Sequence, residues 1–376
     1  MNKKWLALGL ALVLMFTLVA CGGSDDGESQ SPEPEVEEPE GDDTSSGEDA
    51  SSGEDFKVTM VTDEGGVNDQ SFNQSAHEGL LDLEEDLGVE VEYQESNQVA
   101  DFEPNFETLL DAESDLIWGV GYKLADAAYE AATNNPDTLY GIVDFSYEDN
   151  DDFPEGTPEN LVGVLFKDEQ SSFLVGYIAG KMTETDQVGF VGGEKGDVIG
   201  AFEHGYRAGV AYAAKELDKD IDVLVQYADS FSDSGKGKSI ATNMYQQGRD
   251  VVFHAAGAVG DGVIEAAKEE DKWVIGVDMD QHHMAPDNVL TSAMKRVDVA
   301  IYNVVEELID GNFPAGETIV YGVEDEGAVD IAPTSDENVP SEILDEVEEI
   351  KKEIADGEIE VPSNEEDFED FLNELE

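Results

Sequence analysis

Lys57-Val58-Thr59-Met60-Val61-Thr62-Asp63 runs into Glu64-Gly65-Gly66-Val67-Asn68-Asp69-Gln70, and then into Ser71-Phe72-Asn73-Gln74-Ser75-Ala76. The first seven residues read as a short strand. Gly65 and Gly66 follow it, where a bare backbone lets another molecule approach closely. Ser71-Phe72-Asn73-Gln74 matches a capping box, so a helix is predicted to start near Ser71 with its N–H groups aimed past the strand end. From there Phe72, Ala76, Leu80, Leu83 and Leu87 step by four, four, three and four, the apolar stripe of a helix. Strand, glycine turn and capped helix together make the opening of an α/β unit.

The alternation continues along the chain. Strand-like runs recur at Glu90–Glu95, Leu116–Val120, Thr138–Asp144, Leu161–Lys167, Gln187–Gly192, Asp222–Tyr227, Asp250–Ala255, Trp273–Asp278 and Leu290–Lys295. Most are short and continuously apolar, as parallel strands covered on both faces are. Ile199, Phe202, Tyr206, Val210, Ala213 and Leu217 form a second helical stripe. The predicted class is α/β with right-handed crossovers. About ten strands exceed one comfortable open sheet, so two doubly wound parallel-sheet lobes are expected. The N-terminal lobe is placed at 56–167 with about 280–312 returning to it. The C-terminal lobe is placed at 168–279 with about 313–340, and 341–376 is read as a C-terminal helix and acidic tail. No internal repeat is visible.

Charge sets this chain apart. It carries 19 Lys+Arg against 90 Asp+Glu, a net of −71. Residues 22–55 hold 14 acidic and no basic residues, yet 56–376 still hold 76 acidic against 17 basic. Such a surface repels nucleic acid and anionic headgroups, which excludes both as partners of the body. Acid spread over helix faces is tolerable in strong salt, where the Debye length falls to about 3 Å at 1 M, so a hypersaline environment is expected.

The first twenty residues read as a signal peptide. Lys3 and Lys4 precede an apolar or small run from Trp5 to Ala20, shorter than the roughly 20 residues of a bilayer span. Leu18-Val19-Ala20-Cys21-Gly22 resembles a lipobox, which predicts cleavage before Cys21 and lipidation of that cysteine, with Sec the favoured export route. Residues 22–55 contain only Val36 and Ala50 as apolar side chains and are expected to be a disordered tether. The body would then sit at the extracytoplasmic face of the cell membrane.

In open α/β sheets ligands bind at the carboxyl ends of strands. Asp63, Asp144 and Asp278 each end a predicted strand, and Gly257 and Lys295 lie at or just past others. Signals for catalysis are missing: there is no G-x-S-x-G and no H-E-x-x-H. Gly235-Lys236-Gly237-Lys238-Ser239 mimics a phosphate loop, but Ser232 stands where the first glycine is needed, and it reads as a loop leading into a helix over 239–247. Gly257–Gly262 reads as a tight strand-to-helix turn. His282 and His283 lack a completing ligand set, and His77, His204 and His254 read as structural. No metal and no cofactor are expected, and the protein is read as no enzyme.

Val61–Gln74 resembles the opening of the basic membrane lipoprotein family, the purine nucleoside receptor A-like substrate-binding lipoproteins. Phe190–Gly193, Phe202–Val210, Phe253–Gly257, Val274–Gln281 and Thr291–Asp298 follow in that family's order, so the resemblance covers roughly 56–333. It implies a type I periplasmic-binding fold with a hinge, and delivery of nucleosides to an ABC transporter permease by a monomer. It also implies that Phe72 and Phe231 stack on the two faces of a base, and that Asp144 accepts from base N–H groups. Asp63, Asn73, Asp278, Lys295 and the Gly257 backbone would hold the ribose and adjoining atoms, with Asp69 counted in the same ligand-binding set. The chemistry agrees: carboxylates suit hydroxyl and N–H donors and suit phosphate badly. Two alternatives stay open, a same-fold receptor for a sugar or signalling molecule, and a nucleoside hydrolase or adhesive surface lipoprotein.

Overall fold

The structure is a computed structural model that describes Gly53 and residues 56–375, except 149 and 326. The predicted signal peptide, Cys21 and, Gly53 apart, the tether over 22–55 lie outside the described residues.

In the first sheet β1 (Lys57–Val61) lies between β2 (Glu90–Gln94) and β3 (Leu116–Val120). Outward from β3 come β4 (Leu139–Val143), β5 (Leu161–Phe166) and β11 (Thr318–Tyr321), all parallel. In the second sheet β6 (Gln187–Gly192) lies between β7 (Asp222–Tyr227) and β8 (Val251–Ala255). Then come β9 (Trp273–Asp278), β10 (Val289–Lys295) and β12 (Val329–Ile331), the last antiparallel to β10. The two strand orders are the same, although the sequence shows no repeat. A fold of this kind asks only for apolar runs of the right length, which many sequences supply. The central strands β3, β8 and β10 are buried throughout, and the edge strands β2 and β7 are not.

Lobe membership needs two corrections. The sequence places 280–312 in the first lobe, whereas β10 pairs with β9 in the second sheet. The chain passes back only after Lys295, where α8 (Val297–Ile309) packs on α1 (Phe72–Leu87). The sequence also places 313–340 in the second lobe, whereas β11 pairs with β5 in the first sheet before β12 returns to the second. Strands of four and three residues show too little periodicity to be read in advance. At the first crossing α4 (Asp168–Met182) packs on α5 (Asp197–Leu217).

Local chemistry corrects three further points. The capping box at Ser71 does not form; Ser71 makes no side-chain cap bond. Asp69 caps α1 instead, its Oδ1 accepting from the Ser71 and Gln74 N–H groups (both 3.0 Å) and its Oδ2 from the Asn73 N–H (2.9 Å). These donors are therefore not offered to a ligand. Helix α6 (Ser234–Gln246) takes in the whole phosphate-loop mimic, with the Asp233 side chain accepting from the Lys236 N–H. Finally, beyond α9 (Ser341–Ala355) the acidic tail is a helix, α10 (Glu365–Leu375). Its Phe368 is buried against α5, with the Arg207 guanidinium 4.1 Å from the ring centroid. The tail's acidic composition hides the i, i+3, i+4 apolar spacing of Phe368, Phe371 and Leu372. None of the helices among the described residues is long and apolar enough to cross a membrane.

Candidate functional site

The carboxyl ends of the strands of both sheets face one cavity of about 580 Å³, counting its open side. All nine residues singled out in the sequence line it: Asp63, Asp69, Phe72, Asn73, Asp144, Phe231, Gly257, Asp278 and Lys295. They come from seven separate strand ends or helix starts, so only the tertiary fold brings them together.

On the first-lobe wall Asn73 Nδ2 donates to Asp63 Oδ1 (2.7 Å) and to Asp69 Oδ2 (2.9 Å), and the Gly65 N–H donates to Asp63 Oδ1 (2.8 Å). Asp69 thus accepts from four N–H groups and serves the loop, whereas Asp63 Oδ2 accepts no hydrogen bond among the described residues. Phe72, half-buried, stands in the first turn of α1 beside them.

The back wall is ionic. Lys295, 1% exposed, ends β10 and reaches across to Asp144 after β4, with Nζ 2.7 Å from Oδ1 and 2.8 Å from Oδ2. The same Nζ lies 3.0 Å from Oδ2 of Asp168 at the start of α4. Rings of Phe72, Phe166 and Phe202 surround the ammonium at 5.3 to 5.5 Å. A buried charge is stable only when paired and hydrogen-bonded. Lost hydration would lower the lysine pKa, and the charges of Asp144, Asp168 and Asp278 overcome it and raise it above the ordinary range. Both Asp144 oxygens serve Lys295, so that carboxylate is less free to meet a ligand than its place at a strand end implies.

Asp144 and Asp278 follow or end the equivalent strands β4 and β9, and both adopt left-handed backbone, with φ +66° and +63°. Aspartate tolerates this region better than most residues, and the bend turns each carboxyl into the cavity. Asp278 Oδ2 accepts from the Ser71 hydroxyl across the cleft, which leaves Oδ1 as the second open acceptor. Burial pushes Asp63 up to about 6, and burial opposed by Lys295 pushes Asp278 up to about 7.

The sequence did not point to Tyr122 and Lys123 after β3, to Val198, Ile199 and Phe202 on α5, or to Asp168. The first five line the cavity. Phe202 was legible only as core, because a stripe does not say which end of a helix abuts a ligand. Gly121, at φ +112° directly after β3, was the one available signal for its neighbours.

Other titratable groups are tied up elsewhere. His254 is buried, pushed down to about 4 by burial, and its Nε2 is 3.0 Å from Gln281 Oε1. Gln281 Nε2 in turn donates to the Gln70 carbonyl in the other lobe (2.9 Å). His283 contacts the Asp280 carbonyl and Gln70 Oε1. Among the described residues, Glu203, His204 and Glu365 bring potential metal-ligand atoms within 4.8 Å of one another. Arg207 Nη1 already bridges that group, 3.0 Å from Glu203 and 2.9 Å from Glu365, so its donor set fits a guanidinium rather than a metal.

Residues 56–365 match the family described as ABC transporter substrate-binding protein PnrA-like. A CD4+ T-cell-stimulating antigen of Listeria innocua is 41% identical, the alignment covering 96% of this chain and 99% of that protein. An ABC transporter nucleoside-binding protein BmpA of Lactococcus lactis is 40% identical, covering 85% and 92%. Among solved structures, an ABC transporter solute-binding protein of Aeropyrum pernix K1 superimposes with a TM-score of 0.75 at 26% identity, covering 85% of this chain and 97% of that one.

Proposed function

The chain belongs to the PnrA-like family of ABC transporter substrate-binding proteins, and we propose that it captures purine nucleosides between its lobes and delivers them to an ABC importer. The observation that carries this reading is the pairing of two ring walls, Phe72 and Phe231, with two open carboxylate oxygens, on Asp63 and Asp278, in one cavity. Rings suit a purine, and carboxylates suit ribose hydroxyls and ring N–H donors. A phosphate would meet Asp63, Asp144 and Asp278 in a cleft where the deeply buried Lys295 ammonium is already paired. Lipid on Cys21 would hold the protein, as a monomer, at the extracytoplasmic face of the membrane, and the acidic body suits a hypersaline environment. Binding needs no metal, cofactor or catalytic group.

Calorimetry in molar salt with inosine, hypoxanthine, inosine monophosphate and free ribose tests the reading. Inosine is expected to bind well, hypoxanthine more weakly and the monophosphate hardly at all. Stacking on an aromatic side chain is worth about 1–3 kcal/mol per base, so Phe72→Ala should weaken inosine roughly tenfold to a hundredfold. Equal affinity for nucleoside and nucleotide, or tight binding of ribose alone, would sink it.

A further inference from the structure

Lys123, like Lys295, lines the cavity and joins the two lobes there. It follows β3 in the first lobe, with Nζ 3.2 Å from Glu64 Oε2 of the same lobe. The same Nζ is 2.8 Å from Oε1 of Glu194, which follows β6 in the second lobe. It also lies 5.4 Å from the centroid of the Phe231 ring. The side chains of Lys123, Glu64 and Glu194 are 18%, 22% and 35% exposed, against 2% for Lys295 and 6% for Asp144. The trio therefore marks the cavity's solvent edge, and the Lys295 cluster its floor.

We infer that Lys123 is a positioning residue of this site. Its ammonium closes the cavity mouth by pairing Glu64 with Glu194 across the cleft, and seats the Phe231 ring against whatever the cavity holds. Without that charge the two glutamates face each other across the mouth, and like charges drive the lobes apart. Half-buried pairs are screened by salt much less than exposed ones, so the latch works in strong salt as well. A cation over a ring face adds its own attraction, which couples lobe closure to the placement of Phe231. The closure part stands on geometry alone; the effect on ligand rests on the nucleoside reading.

The experiment uses the full-length chain carrying Cys21→Ser, so that spin labels attach only at cysteines replacing the exposed Asp111 in the first lobe and Asp220 in the second. Distances between labels are measured in molar salt, with and without inosine. Lys123→Met, which keeps the aliphatic stem, should shift the ligand-free distribution toward longer distances and speed inosine release about tenfold, because affinity changes in one site fall mainly on dissociation. Lys123→Arg should restore both. Lys123→Met combined with Glu194→Gln should recover part of the closure, since it also removes the repulsion. A change in melting alone, with distances and release rate as in the parent, would mark Lys123 as merely structural and overturn the inference. If inosine binds neither protein, the nucleoside reading fails, and the ligand-free distances still decide the latch.

Discussion

Asp278 and Asp63 face the cavity with carboxyl groups that burial lifts to about 7 and about 6. Near neutral pH each is therefore partly protonated, while a ligand that donates O–H or N–H groups wants the carboxylate. Binding should release protons, so inosine affinity is expected to rise from about pH 5 to pH 8 and level off above that. The apo protein carries the opposite sign. A carboxyl whose folded pKa is raised holds its proton more tightly when folded, so its contribution is complete below the ordinary carboxylate range and is lost as pH rises through 6 and 7. Asp278→Asn should accordingly flatten the fall in apo stability across that window. Calorimetry in buffers of different ionisation enthalpy reads the proton release, and no release between pH 6 and 7 would show that the ligand does not use these oxygens. At this scale residue identity was legible and residue duty was not. Asp69 is a cap, Asp144 a counter-ion and Ser71 a cross-cleft donor, and each duty depends on a neighbour distant in the chain or in the local turn.

Helix α5 links the core to the site. Its N-terminal end presents Val198, Ile199 and Phe202 to the cavity, while further along its glycines press against α4. A Cβ on Gly209 would stand 2.0 Å from the Phe173 carbonyl oxygen and 2.8 Å from the Tyr177 nitrogen. That backbone cannot give way locally, so Gly209→Ala must move the helix. The expected cost is about 1–3 kcal/mol, the usual range for overpacking. Melting should drop by a few degrees, at about 1–2 °C per kcal/mol for a body of roughly 320 residues, and inosine affinity should fall with it because Phe202 moves too. An unchanged melting temperature would show that the α4–α5 contact is looser than the distances say. Periodicity announced this helix and its buried stripe. It was silent on β11 and β12, whose four and three residues are too few to show a period.

Over 56–376 the body carries 76 acidic against 17 basic residues. It shares its cations out: Lys57, Lys181 and Lys238 each bridge two glutamates, as Lys123 and Lys295 bridge two carboxylates at the cavity. Pairs at exposed sites contribute little individually, so the surplus acid must be screened by the medium. Thermal melting is expected to fall steadily as salt is lowered from about 1 M to about 0.1 M, where the Debye length grows from about 3 to about 10 Å. A flat profile over that range would count against a protein built for strong salt.

By itself the sequence determined the α/β alternation, ten of the described strands, the acidic body and five strand-end residues of the cavity, Asp63, Asp144, Gly257, Asp278 and Lys295, while Asp69, Phe72, Asn73 and Phe231 came from the family resemblance. Apolar run length, helical spacing and turn chemistry are local properties, written into neighbouring residues. Only the tertiary structure decided which sheet takes each late strand, which carboxylates are already spent, and that Lys123 spans the mouth while Lys295 lies on the floor. Those outcomes depend on pairings between residues as far apart as Asp144 and Lys295 or Ser71 and Asp278. The energy of a buried charge is set by what surrounds it in space, which its neighbours along the chain do not specify.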